Sequence, residues 1–145
     1  SALGSHIMQV RHKAFFQAMK QNDLHTEPTY AGSSYYITQC VEKHLSRLLQ
    51  MGMTAIICSH DLIANAIMVQ CQQLGYHIPR DISIIGFDDL PMCAYTSPPL
   101  TTIRQDRAEL GKCGYYALDS ILNNVSIGTI LLHAQLIERN STSKI

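Results

Sequence analysis

The segment Asp81–Asp89 constrains the fold more than any other stretch, because it joins a short apolar run to a pair of carboxylates. Pro79 precedes the run and Gly86 follows it, which is typical of a strand buried on both faces of a parallel sheet. Open parallel sheets bind ligands just outside the carboxyl ends of their strands. Asp88 and Asp89 therefore stand where a small polyhydroxylated ligand would bind, or else they only shape the turn after the strand.

Helices and strands alternate along the rest of the chain. Apolar residues at helical spacing predict helices over Arg11–Asn22, Ile37–Leu49, Asp61–Leu74 and Leu110–Ile121. Short apolar runs predict strands at Thr54–Cys58, Leu100–Ile103 and Ile130–Ile137, with a further extended piece at Thr29–Ala31. Gly52 is predicted to end the helix Ile37–Leu49. The helix Asp61–Leu74 is predicted to begin with Ser59 or Asp61 as its N-cap and to end at Gly75. This alternation predicts an α/β domain with a mainly parallel, Rossmann-like sheet and flanking helices.

The composition excludes several classes of protein. The 11 basic and 11 acidic residues give no net charge, and nothing in the sequence resembles the basic stripe that a nucleic-acid-binding surface needs. No apolar run approaches the length of a membrane span and no signal peptide is evident, so we expect a cytoplasmic chain without a membrane partner. Neither a Gly-rich phosphate loop nor a Gly-x-Ser-x-Gly motif occurs, which argues against nucleotide enzymes and serine hydrolases.

The cysteines and histidines show no metal-binding or redox pattern. The five cysteines are odd in number and form no Cys-x-x-Cys motif, which favours buried, reduced thiols. The seven histidines form no His-x-x-x-His pair, and we expect neither a metal site nor a cofactor. Residues 1–10 include a Gly-Ser-His run that is either a tag remnant or a native linker.

Four motifs together resemble a known protein family. They are Arg11-x-x-Ala14-Phe15, Thr54–Ala64, Gly75–Asp89 and Pro99–Gln105, and the terminal Leu136–Thr142 also fits. In this order and spacing they resemble the effector-binding domain of the lactose-repressor/galactose-repressor family of bacterial transcription regulators. That family has two periplasmic-binding-protein-like type I lobes around a ligand cleft. The resemblance implies that this chain is the C-terminal half, without the helix-turn-helix headpiece through which such regulators bind operator DNA.

The resemblance also implies a division of the chain. Residues 11–104 would form the C-terminal lobe, and residues 105–128 a crossover helix that belongs to the N-terminal lobe of the family. Residues 129–145 would return as a strand and a polar tail. The apolar stripe of the crossover helix would then lack its usual platform.

Effector-binding roles follow from the resemblance for five residues, which are Arg11, Tyr35, His60, Asp88 and Gln105. Arg11 would reach the effector as a bidentate donor, and Asp88 would accept hydrogen bonds from its hydroxyl groups. His60 stands where the family most often has Asn, and this departure leaves the class of effector open. Phe87 is expected to be structural.

A symmetric dimer surface is the other implied site. The helix from Asp61 to Leu74 and the loop Met92–Tyr95 pair across a two-fold axis in the family. Four side chains are expected to contribute, namely Ile67, Met68, Cys93 and Tyr95. The chain would accordingly be part of a homodimer.

Three functions remain to be compared. The favoured one is the sensing of a sugar-like effector within a transcription regulator, which is not an enzymatic activity. A periplasmic sugar-binding protein has a related fold, but the absence of a signal peptide and the free thiols argue against it. A small flavodoxin-like hydrolase using Asp88 and His60 is the third, although the sequence shows no nucleophile–base pair.

Overall fold

A computed structural model describes residues 6–24 and 45–144 of the chain. The described helices are α1 (His6–Gln21), α2 (Asp61–Gln73) and α3 (Arg107–Leu122), with residues 45–50 also helical and a 3-10 turn at Pro91–Ala94. The strands are β1 (Ala55–Ile57), β2 (Ser83–Phe87), β3 (Thr101–Arg104) and β4 (Gln135–Ile137). The predicted extended piece at Thr29–Ala31 and the start of the second helix lie outside the described residues.

The four strands form one sheet in the order β1-β2-β3-β4. The first three are parallel and β4 is antiparallel to β3. Ile57 pairs with Ile85, and Phe87 pairs with Ile103, so the carboxyl ends of the three parallel strands lie at one edge. The prediction of an α/β fold with a mainly parallel sheet is therefore confirmed.

Two strands differ from their predicted form. The final extended run was expected over Ile130–Ile137, but only its last three residues pair with β3, which is itself four residues long. β1 was expected to be buried, yet Ile57 is exposed. β1 is the first strand in the described sheet order, and a strand at a sheet edge has fewer covering neighbours than a central one.

The core lies between α2 and the central strands. Ten buried residues form it, which are Leu45, Leu49, Cys58, Ala64, Met68, Cys71, Ile82, Ile84, Cys93 and Leu100. Full burial of an Ile, Leu or Met side chain stabilises a fold by roughly 1.5–3 kcal/mol relative to exposure. The helix and β2 are therefore held together mainly by apolar packing.

The three thiols in this core are neutral and unreactive. Cys58, Cys71 and Cys93 are free and buried. Burial raises the pKa of Cys58 to about 12 and that of Cys71 to about 11. Burial, and then a hydrogen bond with Asp61, raises the pKa of Cys93 to about 12. Because the thiolate is the reactive form, these side chains act as small apolar groups, as predicted.

The C-terminal tail is joined to the sheet by polar contacts. The hydroxyl of Ser141 is fully buried, donates to the Ile84 carbonyl at 2.6 Å and accepts from the Thr101 amide at 2.8 Å. The Ile84 amide in turn donates to the Ser141 carbonyl at 2.8 Å. The segment after β4 is thus bound to β2 and β3 of the sheet.

Helix α3 stands apart from this core. None of its residues is buried, and its apolar side chains, including Leu110, Leu118 and Ile121, are exposed. The segment after it lies alongside and forms a groove lined by Leu110, Cys113, Gly114, Ala117, Ile127, Gly128, Ile130 and Leu132. No described helix combines the length and apolar character that a bilayer crossing requires.

Candidate ligand-binding site

Polar side chains from four elements meet at the carboxyl ends of β1, β2 and β3. Helix α1 contributes Arg11, the turn after β1 contributes His60, the end of β2 contributes Phe87 and Asp88, and Gln105 follows β3. Distances of 2.8 to 3.7 Å link these groups to one another or to the backbone between them. This is the edge at which open parallel sheets bind ligands.

Arg11 is held in place from two sides. Its Nη1 donates to the carbonyl of Ser59 at 3.1 Å, and its guanidinium carbon lies 3.7 Å from the centroid of the Phe87 ring. Stacking on the aromatic face and the backbone hydrogen bond restrict a long, flexible side chain. Phe87 thus helps to fix the position of the Arg11 side chain.

His60 begins α2. Its backbone is extended and its Nδ1 accepts a hydrogen bond from the Leu62 amide at 3.2 Å, so His60 is the N-cap residue. The prediction of Ser59 or Asp61 as the cap is wrong, because the His60 ring accepts from the Leu62 amide and the Asp61 carboxylate turns into the core. The other ring nitrogen, Nε2, lies 3.5 Å from Oδ2 of Asp88.

The buried carboxylate of Asp61 links the segment after β2 to β3. Its Oδ1 accepts from the Thr102 hydroxyl at 2.6 Å and its Oδ2 from the Leu90 amide at 2.7 Å. A Cβ added to Gly86 would collide with Oδ1, so only glycine allows this approach. Sequence reasoning missed this role, since the partners of Asp61 lie 29 and 41 residues away and no local pattern indicates them.

Asp88 is the accessible carboxylate of the pair after β2. Both Asp88 and Asp89 have positive φ, 104° and 49° respectively, which places the chain in a tight turn. The Asp88 amide donates to the Ile103 carbonyl at 2.8 Å, and Oδ1 accepts from Nε2 of Gln105 at 2.8 Å. The side chain remains 25% exposed, and Oδ2 faces His60.

Asp89 has the opposite environment. Its side chain is only 8% exposed, and its carboxylate accepts from Arg139 at 2.7 Å and from Arg104 at 2.6 Å. Burial by itself would raise the pKa of Asp89, but the hydrogen bonds and charges of these two arginines outweigh burial and hold the pKa below its usual value. Asp89 therefore ties β3 to the tail after β4.

The structure brings together four of the five predicted effector residues, which are Arg11, His60, Asp88 and Gln105. Tyr35 lies outside the described residues. Within residues 6–24 and 45–144, no three His, Cys, Asp or Glu side chains are grouped so that they could hold a metal ion.

The predicted dimer surface needs a correction for two of its residues. Met68 is only 2% exposed and Cys93 is fully buried, because both side chains pack into the core of their own lobe. Neither can supply surface contacts as expected. Ile67 is half-buried and Tyr95 is 87% exposed, so the pairing of this region stays a prediction that depends on the outer face of α2 and on Tyr95.

The open sheet and the polar groups at its carboxyl edge have the arrangement that is typical of α/β ligand-binding domains. Residues 3–142 match the family described as periplasmic binding protein-like domain, and the chain belongs to this family. It is 33% identical over 135 residues to the HTH-type transcriptional repressor PurR of Aliivibrio salmonicida, a match that covers 90% of this chain and 40% of that protein. It is 32% identical over 136 residues to the HTH-type transcriptional repressor CytR of Escherichia coli K12, covering 91% and 40% respectively.

Two solved structures of bacterial regulators are similar to this chain in fold. A regulatory protein of the LacI family from Chloroflexus aggregans superposes with a TM-score of 0.87 at 30% identity, over 98% of this chain and 53% of that chain. The transcription regulator CcpA of Lactococcus lactis has the same fold, with a TM-score of 0.87 at 22% identity, over 98% of this chain and 53% of that chain. The resemblance drawn from the four motifs is confirmed, and the chain spans about two fifths of the length of its curated relatives.

Proposed function

We propose that this chain is the effector-sensing lobe of a bacterial DNA-binding transcription regulator and that it is not an enzyme. It would hold a small polar, sugar-like effector at the carboxyl edge of its sheet. The regulator would act in the cytoplasm as a homodimer and would contact operator DNA through a headpiece outside this chain. The relatives named as HTH-type repressors support this proposal.

The convergence of Arg11, His60, Asp88 and Gln105 carries the proposal. Arg11 offers further N–H donors beyond the one that it spends on Ser59, and Asp88 offers acceptor positions beside the hydrogen bond from Gln105. A hydroxyl group both donates and accepts, so a ligand with several hydroxyl groups matches this mixture. The arrangement binds and orients a ligand without supplying a reacting group.

The hydrolase alternative gains no support from the thiol at this edge. Cys58 directly follows β1, but burial raises its pKa to about 12 and leaves it a neutral thiol. We therefore assign the His60–Asp88 pair to binding rather than to catalysis.

Titration calorimetry of the full chain with pentoses, hexoses and disaccharides tests the proposal. At least one sugar should bind saturably, and Asp88→Asn should weaken it by roughly 1–3 kcal/mol through the loss of charge-assisted hydrogen bonds. Asp106→Asn is the matched control, because Asp106 caps α3 and Asn caps a helix equally well. No saturable binding, or binding that both variants leave unchanged, would argue against the site.

A further inference from the structure

Asp88 lies in a turn with an unusual backbone. Asp88 and Asp89 have φ values of 104° and 49°, and residues other than glycine rarely adopt positive φ. Such a conformation persists only where the surrounding structure fixes it. The geometry of the Asp88 carboxylate therefore depends on the groups that hold this turn.

Three consecutive backbone amides of the turn donate hydrogen bonds to the structure around them. The Asp88 amide donates to a carbonyl of β3 at 2.8 Å, and the Leu90 amide donates to Oδ2 of Asp61 at 2.7 Å. Between them, the Asp89 amide donates to the hydroxyl oxygen of Thr102 in a longer contact of 3.4 Å. Two of the three amides thus depend on the side chains of Asp61 and Thr102.

Thr102 joins Asp61 to the turn. Its side chain is fully buried, and its hydroxyl donates to Oδ1 of Asp61 at 2.6 Å, the distance of a charge-assisted hydrogen bond. A threonine hydroxyl has one hydrogen and two lone pairs. Because the hydrogen goes to the carboxylate, the lone pairs stay available to the Asp89 amide, and the donation makes the oxygen a better acceptor.

We infer that Thr102 is a positioning residue for ligand binding, which holds Asp88 in its binding geometry without touching the ligand. The inference rests on the proposed function, in which Asp88 accepts hydrogen bonds from the hydroxyl groups of the effector. Thr102 is fully buried, so a bound molecule cannot reach its hydroxyl. Its contribution passes through the backbone of the turn that it shares with Asp61.

The neighbouring Thr101 offers a matched comparison. Successive side chains of a strand point to opposite faces, and Thr101 is 1% exposed on the other face of β3. Its hydroxyl accepts from the Arg139 amide at 2.9 Å and lies 3.1 Å from the hydroxyl of Thr142. The two threonines share residue type, strand and burial, but Thr101 holds the C-terminal tail and Thr102 holds the turn.

NMR of the full chain tests the inference without a ligand. Thr102→Val keeps the shape of the side chain and removes the hydroxyl, so the Asp89 amide should exchange its hydrogen several-fold faster. The side-chain amide of Gln105, which donates to Asp88, should shift as the turn relaxes. Thr102→Ser retains a hydroxyl and should restore both signals. Thr101→Val should instead accelerate exchange at the tail and leave both signals as in the wild type.

Titration calorimetry extends the test to binding, with the pentose, hexose or disaccharide that the wild-type chain binds most tightly. Thr102→Val should weaken its binding about tenfold, the factor that corresponds to one lost hydrogen bond, whereas Thr102→Ser and Thr101→Val should stay within about twofold of the wild type. Equal losses in the two valine variants, or a serine variant that does not recover, would reduce Thr102 to a purely structural role and overturn the inference.

An Asp89 amide and a Gln105 side chain that ignore Thr102→Val would overturn it as well. If Thr102→Val does not fold, Asp61→Asn takes its place. An amide side chain has a single oxygen, so the Leu90 amide and the Thr102 hydroxyl cannot both donate to it, and the turn signals should again change. A chain that shows the expected NMR behaviour but binds no sugar would contradict only the proposed effector class.

Discussion

The adjacent carboxylates of Asp88 and Asp89, at the end of β2, have different roles. Asp88 keeps an exposed oxygen beside His60, whereas both oxygens of Asp89 are bound by Arg104 and Arg139. Removal of a buried, fully paired carboxylate leaves its partners without a counter-charge and destabilises the fold, whereas a partly exposed carboxylate is available to a ligand. The side chain that a ligand can use is therefore set by how the arginines of β3 and the tail are placed.

Substitution of the two residues should separate binding from stability. Asp89→Asn should lower the free energy of unfolding by about 1–3 kcal/mol, because the largely buried Arg139 and the more exposed Arg104 would both lose their charged partner. Asp88→Asn should leave that free energy nearly unchanged and weaken effector binding. Urea denaturation and calorimetry on the same samples measure both effects. If Asp89→Asn alone abolished binding in a stably folded chain, the assignment would be reversed.

The lowered pKa of Asp89 also predicts a response to pH. The folded-state pKa lies below the unfolded value, which is near 3.9 for Asp. The stability from this carboxylate is therefore fully present above about pH 4 and is lost as the pH falls through the folded pKa. Urea denaturation from pH 6 down to pH 3 should show a smaller loss of stability in Asp89→Asn than in the wild type. Parallel curves would contradict this.

Only part of this site could be predicted from residues read in order. The family resemblance singled out four residues that the structure brings together, which are Arg11, His60, Asp88 and Gln105. The roles of Asp61 and Asp89 depend on partners up to 50 residues distant, and such pairings leave no local pattern. Adjacent acidic residues look alike in sequence until the fold supplies their neighbours.

At the scale of elements, α2 has one face in the core and one face outside. Ala64, Met68 and Cys71 pack toward β2, while Leu62 and Val69 are exposed. The helical spacing of apolar residues could be predicted from the sequence, and the structure confirms the helix. The sequence could not show which of the surplus apolar residues face inward, because that depends on the rotation of the helix against the sheet.

Because of this orientation of α2, two substitutions in the predicted dimer surface should have different effects. Tyr95→Asp should lower the mass of the assembly and leave the chain folded, since the exposed tyrosine can take a charge without disturbing the core. Met68→Asp should instead unfold the lobe, because it places a carboxylate among buried apolar groups. Light scattering and circular dichroism distinguish these results, with Gln50→Asp as a surface control. An unchanged mass in Tyr95→Asp would remove Tyr95 from the interface.

At the scale of the whole molecule, the apolar surface is unevenly distributed. Of the twenty large hydrophobic side chains that are exposed in the described residues, eleven lie between Leu110 and Leu132. The sequence predicted the apolar stripe of α3 from its helical period. What covers that stripe depends on contacts beyond the helix itself, which periodicity cannot supply. Exposed patches of several hundred Å² are rarely left uncovered in proteins.

We therefore expect this chain, studied alone, to associate through α3. Leu118 lies on the exposed apolar side of the helix, and a charge there would oppose burial against a second copy. Size-exclusion chromatography with light scattering should show Leu118→Glu as a smaller species than the wild type. Lys112→Glu is the control, because Lys112 is an exposed polar position whose side chain pairs with Glu109. A wild-type chain that is already monomeric, and that Leu118→Glu leaves unchanged, would show that α3 is stable while exposed to solvent.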